Sequence, residues 1–422
     1  MSGQGKSKIL QARYHPPTSN SKWIALFWIT LAELFVMSVW FSASAVIPAL
    51  AQAWHIKGSS IVWLTSAVQL GFVLGALTSA TFGLPDRIRP RWMMGWGGLG
   101  ASLSTAGILL FPHGGLMPFI LRGLTGAFLA VVYPIAVQWV ATWFPRQRGL
   151  AVGILIGGLT VGSALPHLFA GLPILQNWQG VMAGSAVLAG LSWVLVLWVV
   201  PESPVPFSPP VFRWNTVGAV LRDRPVMLAN MGYWGHMWEL YAMWTWLPGF
   251  LLASWGPTLS RVALIQRVGW ASFTAIGLTG ILGALVGGWL ADEWGRTAAT
   301  IAALTVSGAM SLVVGLTYRH SIGLTLLVIL IWGFSVIADS AQFSAAVTEL
   351  SPANQQGSAL TLQMAVGFLI TIVSINLVGM IEPVLGWSHV FTLLALGPLA
   401  GIGAMMRLRV RPESTQMSNG KR

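Results

Sequence analysis

An all-α integral membrane fold, with twelve transmembrane helices arranged as two six-helix pseudo-repeats, is predicted by three observations. The 422-residue chain is 55% hydrophobic and only 8% charged, with a mean hydropathy of +0.72, whereas a soluble chain is about 25% charged. Twelve mainly apolar stretches of roughly 20 residues, long enough to span a bilayer, occur at 23–49, 61–83, 92–112, 116–143, 149–171, 180–200, 225–253, 267–290, 298–317, 322–348, 357–380 and 387–406. The phrase ELFVMSVW at 33–40 returns as ELYAMWTW at 239–246, so Glu33, Leu34, Met37 and Trp40 recur as Glu239, Leu240, Met243 and Trp246 at an offset of 206. The same offset carries Asp86 onto Asp292.

Taken in order, residues 1–22 are polar and basic and read as a short disordered cytoplasmic tail. The apolar stretch after them is too long for a signal peptide and lacks a small-residue cleavage site. Residues 23–200 form the first six-helix bundle. Residues 201–224, PESPVPFSPPVFRWNTVGAVLRDR, form a central cytoplasmic loop. Its proline-rich part, Pro201 to Pro210, cannot continue a helix, and the part after it reads as an amphipathic helix on the membrane surface. Residues 225–406 form the second bundle and 407–422 a basic cytoplasmic tail. The 23 tryptophans and 48 glycines suit this fold, Trp at the interfaces and Gly where helices come close.

Basic residues set the orientation. With both termini inside, 18 of the 23 Lys and Arg fall on the cytoplasmic side, among them Lys6, Lys8, Arg13, Arg146 and Arg422, while Lys57, Arg261, Arg267 and Arg319 fall outside and Arg122 lies within a helix. The expected location is the inner membrane. The net charge of +12 does not indicate nucleic-acid binding, because the basic residues stand at helix ends rather than in a run interleaved with aromatics. The absence of cysteine excludes disulfides and thiolate metal sites. Neither a phosphate-cradling loop, an H-E-x-x-H pair nor a nucleophile elbow is present. No enzyme activity, cofactor or metal is expected, and the chain reads as functional as a monomer.

Ionisable residues inside apolar segments cost roughly 2.5–3.5 kcal/mol on insertion scales, so each is a functional candidate. Glu33 and Glu239 lie ten to fourteen residues into their segments, about 15–20 Å at 1.5 Å per residue and hence near mid-membrane. A carboxylate desolvated there can load and release a proton as access alternates, or stay charged and bind a cationic solute. Asp339 is a third intramembrane acid, opposite Tyr133 at the 206 offset. It could pair with Arg122 if the fold brought them together. His236 precedes Glu239 by one turn and could share a proton with it. Segment seven also carries Tyr233, Trp234, Trp238, Tyr241, Trp244 and Trp246, surfaces suited to stacking or cation–π contact. Trp40, Trp246, Tyr133 and Gln363 are candidate cavity-lining residues, and Gln69, Gln138, His167 and Gln342 are weaker ones. Glycines 149, 153, 157 and 162 make a small-residue packing ridge along segment five.

Segment eight ends GGWLADEWGR, in which Gly288, Leu290, Ala291, Asp292, Gly295 and Arg296 spell G-x-L-A-D-x-x-G-R. This resembles the signature loop of the major facilitator superfamily. The first-half copy, FGLPDRIRPR, keeps Leu84, Asp86, Arg87 and Arg91 but has Phe82 in place of the first glycine and Pro90 near the second. Arg122 followed by Gly126 resembles the family's fourth-helix motif, whose arginine is associated with proton transfer. The resemblance covers nearly the whole chain. It implies a secondary transporter in which two bundles rock about a midplane site, with the aspartate loops latching the outward-facing state. The glycine–proline motif of the family's drug antiporters is not matched, because Pro166 is displaced from the glycines. The chain loosely resembles bacterial branches described as cyanate or nitrate permease-like.

The expected function is proton-coupled symport of a small organic solute, such as an anion, with the lipid bilayer and protons as the other partners. Three alternatives remain open on sequence: an efflux antiporter for cationic or amphipathic compounds, a uniporter with structural acids, and a non-transporting membrane receptor.

Overall fold

The structure, a computed structural model, describes residues 19–56, 58–144, 147–203 and 211–421. Expectations for Lys6, Lys8, Arg13, Lys57, Arg146 and Arg422, for the tail before Ser19 and for the extended run 204–210 lie outside the described residues. Among the described residues the chain is helical and contains no strand.

The longer helices, numbered in chain order, begin with α1 (Ser19–Met37), α2 (Trp63–Thr81), α3 (Pro90–Gly107), α4 (Met117–Leu129) and α5 (Tyr133–Trp143). They continue with α6 (Arg148–Gly171), α7 (Trp178–Trp198), α8 (Arg224–Trp255), α9 (Arg261–Phe273) and α10 (Thr279–Trp294). The last are α11 (Arg296–Val313), α12 (Ile322–Ala338), α13 (Ser340–Leu350), α14 (Gln356–Leu385) and α15 (Leu396–Arg409). Proline in the first turn starts α3, α4, α5 and α8, where its missing N–H is no loss. Asn177 caps α7 by accepting from Gly180 N, and Asp223 caps α8 by accepting from Val226 N. Between α10 and α11 the chain turns on Gly295 at φ 90°, a conformation that strains any residue with a Cβ. The amphipathic helix expected in the central loop is present at Trp214–Arg222.

Among the described residues ten helical spans are long and apolar enough to cross a membrane, from Ser60–Thr81 to Val390–Arg409. The two expected segments outside this set, 23–49 and 225–253, are those that carry Glu33 and Glu239. The first is interrupted, because α1 stops at Met37 and a turn occupies Ser38 to Ala43. The second is continuous in α8, but His236, Glu239 and its many Trp and Tyr residues lower its hydropathy.

Small residues set the closest crossings. A methyl group placed on Gly126 of α4 would stand 1.9 Å from Val68 O of α2, and one on Gly287 of α10 would stand 1.9 Å from Ala338 O of α12. The expected ridge on α6 is only partly used. Gly162 packs against the Leu34 backbone and Gly157 against Ile281, but Gly153 faces open space. Helix α6 runs antiparallel to α9 and α10: Gly149 lies by Asp292 and Gly171 lies against Gly269. These two contacts mark opposite ends of the molecule, called here the Asp292 end and the His167 end. Large exposed apolar side chains such as Leu103, Leu110, Trp198 and Trp289 face outward, as lipid contact requires.

Candidate functional site

An aromatic cluster closes the centre of the molecule. Trp40 and Phe41 in the turn after α1 and Phe72 on α2 meet Tyr241 and Trp244 on α8 and Phe368 on α14. Trp40 lies 5.2 Å from Phe72, 5.8 Å from Tyr241 and 5.4 Å from Phe368, and Phe72 lies 4.3 Å from Phe368, ring centre to ring centre. A cavity of about 180 Å³ lies toward the Asp292 end, between Ser79, Asp86, Tyr133, Gln138, Ser344 and Thr361. A second, of about 250 Å³, lies toward the His167 end, between Gln52, His167, Gln176, Arg261 and Ser272. The aromatic cluster stands between them. Phe72 is one turn beyond Ala76, and Phe368 one turn beyond Met364, both of which line the first cavity. A wider recess of about 550 Å³, lined by Arg224, Arg407 and Arg411 with Met227 and Val410, lies off this axis.

The two glutamates that match in sequence do not match in environment. Both are 0% exposed. Glu239 accepts from Ser307 Oγ of α11 at 2.8 Å and from Trp332 Nε1 of α12 at 2.8 Å, one donor per oxygen. Neither oxygen of Glu33 has a hydrogen-bond partner among the described residues. The 206 offset carries Ser307 and Trp332 onto Ala101 and Gly126, which have no side-chain donor. Gly126 cannot acquire one, since even a methyl group there would strike Val68 O. Glu33 is therefore a desolvated carboxyl without donors, an environment in which an anion is costly. Tyr133 borders the first cavity.

Arg122 does not snorkel and does not meet Asp339. It is 0% exposed and its guanidinium is spent on the break after α1. Its Nη1 donates to Val39 O at 2.8 Å and to Ser42 Oγ at 3.2 Å, its Nε to Leu64 O at 3.0 Å, and its Nη2 to Trp40 O. A helix end leaves carbonyls without donors, and a rigid fork of five N–H groups can serve several at once. The offset carries Arg122 onto Val328, and α8, which has no such break, needs no arginine.

His236 pairs with Asp339 rather than with Glu239: Nδ1 stands 2.8 Å from Asp339 Oδ1, both side chains 1% exposed. Asp339 lies in the bend between α12 and α13. Tyr233 and Phe343 enclose the imidazole at ring distances of 6.0 and 5.8 Å. Gln363 is buried in place, its Oε1 accepting from Ser344 Oγ at 3.0 Å. Trp246 faces neither cavity. Its Nε1 donates to Ile375 O at 2.9 Å and its ring packs on Trp387. It follows Glu239 by seven residues, two turns toward the His167 end, and has left the central level.

The first glycine of the signature loop does not itself bring two helices together. Gly288 has open space where a Cβ would stand, and the close crossing is made by Gly287. Phe82, 60% exposed, replaces that glycine in the first copy at no steric cost. Asp292 Oδ2 lies 4.0 Å from where a Cβ on Gly149 would be, at the N-terminus of α6, where a negative charge is favoured. Arg296 forms a fork with Glu349 at 2.7 and 2.6 Å and donates to Gln342 at 2.7 Å. The C-terminal segment lies over this loop, Ser418 Oγ donating to Ala291 O and Lys421 Nζ to Asp292 O. In the first copy Arg91 stands 3.1 Å from Glu202 and donates to Val200 O at 2.6 Å. Asp86 borders the first cavity, and Arg87 follows it in the short helix Leu84–Arg87.

Residues 29–375 match the Major Facilitator Superfamily. The chain belongs to this family. It is similar to a gallate transporter of Pseudomonas putida, 24% identical over 94% of this chain and 95% of that protein. It is also similar to a gentisate transporter of Corynebacterium glutamicum, 22% identical over 81% of this chain and 76% of that protein. A D-galactonate transporter of Escherichia coli is 26% identical over 42% of this chain and 46% of that protein. As a major facilitator protein the chain is a membrane transporter and not an enzyme. Several residues that organise its centre carry no mark in the sequence. Ser307 and Trp332 look like ordinary segment residues, and only their absence from the other half at the 206 offset, Ala101 and Gly126, could single them out.

Proposed function

We propose that this transporter takes up an organic-acid anion together with a proton, by alternating access, and that Glu33 carries the proton. The observation that carries this reading is the contrast between the two acids: Glu239 is held by two donors, while Glu33 is buried without any. A carboxyl that gains nothing from its surroundings as an anion takes up a proton readily, and one that meets water when its half moves gives it back. The substrate class rests on the relatives, since gallate, gentisate and galactonate are carboxylic acids. The relatives point to these acids rather than to cyanate or nitrate. The rings of Trp40, Tyr241 and Phe368 supply stacking faces for an aromatic acid once the central cluster parts.

In this reading the chain forms twelve spanning helices as two six-helix bundles, 23–200 and 225–406, joined by the loop 201–224. Support comes from helix bounds: α3 and α11 span Pro90–Gly107 and Arg296–Val313, identical at the 206 offset. Breaks fall at Ala130–Val132 and at Asp339, one residue past the equivalent stretch at the same offset. The Asp292 end is cytoplasmic, and so are both termini, because Lys22, Arg87, Arg224, Arg296 and Arg407 gather there. The membrane is the inner one, and the protein works as a monomer. The aromatic cluster is the barrier around which the bundles rock. The His236–Asp339 pair stands beside the path, and Asp86 and Asp292 brace the cytoplasmic closure.

Carrying a monoanion with one proton is electroneutral, so a pH gradient of one unit supports about tenfold accumulation, or about 1.4 kcal/mol. The test is uptake of radiolabelled gallate, gentisate and galactonate by proteoliposomes with an acid exterior. Accumulation that collapses with a protonophore is expected. Failure to accumulate any of the three would overturn the substrate class.

A further inference from the structure

The cavity toward the His167 end holds polar groups that the central site does not use. His167 on α6 is 1% exposed and Ser272 on α9 is 0% exposed. Both border the cavity, and neither imidazole nitrogen nor the serine hydroxyl has a hydrogen-bond partner among the described residues. Two neighbouring buried polar side chains left without partners are a costly arrangement unless something in the cavity engages them. Arg261, at the N-terminus of α9, is exposed and lines the same cavity, so its charge stands at the mouth while His167 and Ser272 stand in the interior. Gln52 and Gln176 add two further polar groups at the rim, and the remaining wall is apolar: Ala45, Pro48, Pro248, Leu252 and Ile265 among others. The volume, about 250 Å³, accommodates a small organic acid.

We propose that this cavity is a carboxylate-binding station on the outer side, where an organic-acid anion is held before it reaches the aromatic barrier. The inference rests on the organic-acid reading given above. Arg261 attracts the anion, His167 and Ser272 donate to its carboxylate oxygens, and the apolar wall covers its carbon skeleton. The walls come from both halves of the chain. Gln52 and His167 precede the central loop, Pro248 and Ser272 follow it, and α6 meets α9 beside the cavity where Gly171 touches Gly269. Rocking of the halves therefore opens and dismantles the station.

The chain has no cysteine, so one introduced thiol reports on one place. Gln52→Cys and Ser272→Cys each put that thiol on the cavity wall, the first at an exposed position that a neutral maleimide reaches. The experiment measures the rate of maleimide reaction in nanodiscs with and without gallate, gentisate or galactonate, beside transport of the same acids in proteoliposomes. At least one acid is expected to slow the reaction of the Gln52→Cys variant threefold or more, with the protection lost when Arg261→Gln or His167→Leu is added. Equal rates with and without an acid that is transported would overturn the station and leave the transport reading intact. Protection that persists in both added variants would also overturn it, because the slowing would then report closure of the protein rather than local occupancy. Protection by an acid that is not transported would support the station and remove the transport reading.

Discussion

Trp332 Nε1 donates to Glu239 Oε1 over 2.8 Å inside a fully buried site, and the corresponding position in the first half is Gly126. One tryptophan thus separates the fates of two glutamates that occupy equivalent places in the sequence. Where the indole is present the carboxylate is held, together with Ser307. Where a glycine lets α2 and α4 cross closely, no donor fits and Glu33 is left alone.

Removing the donors of Glu239 is expected to cost stability. Trp332→Phe and Ser307→Ala each leave one buried carboxylate oxygen without a donor, a loss of about 1–3 kcal/mol. Thermal unfolding of purified protein in detergent measures it. Unchanged melting in both variants would show that Glu239 does not depend on these bonds.

Arg122 is expected to act through the shape of the break after α1. Arg122→Lys keeps the charge, but a single ammonium cannot serve the carbonyls of Val39, Trp40 and Leu64 together. Both Arg122→Lys and Arg122→Ala are therefore predicted to lower the melting temperature and to lose transport in parallel. If Arg122→Lys melts like the wild type and transports normally, the capping role is wrong.

The loop glycines separate in the same assay. Gly287→Ala drives a methyl group into the Ala338 backbone and is expected to cost about 1–3 kcal/mol as overpacking. Gly288→Ala adds its methyl to open space and is expected to leave both melting and transport unchanged. Equal effects of the two would contradict the assignment of the close crossing to Gly287.

Trp40 touches Phe72, Tyr241 and Phe368, so Trp40→Ala is expected to thin the barrier between the two cavities. The readout is leak of protons across proteoliposomes without substrate, predicted to rise at least severalfold. A leak no larger than that of the wild type would place the barrier elsewhere.

The helical content, the glutamate pair and the signature loop are legible in the sequence, because hydropathy, the repeated phrase and the motif spacing are all local patterns. The partners of those residues are not legible. Ser307 and Trp332 lie 68 and 93 residues from Glu239, and nothing in their own segments marks them as donors. Asp339 reads as an intramembrane acid, but its pairing with His236 depends on the bend between α12 and α13, which no local signal announces. Trp246 reads as cavity-lining but borders neither described cavity, because seven residues past Glu239 it stands two turns away from the central level. Arg122 reads as a proton-transfer residue by resemblance, while its bonds follow from a helix break that hydropathy does not register.

The central claim is that Glu33, and not Glu239, exchanges the coupled proton. Substrate-driven proton flux into proteoliposomes, followed with an internal pH indicator, tests it in Glu33→Gln and Glu239→Gln with whichever acid the wild type carries. Glu33→Gln is predicted to abolish acid-driven proton movement while still exchanging acid for acid, and Glu239→Gln to retain coupled flux with reduced stability. Proton flux that survives in Glu33→Gln would contradict the account.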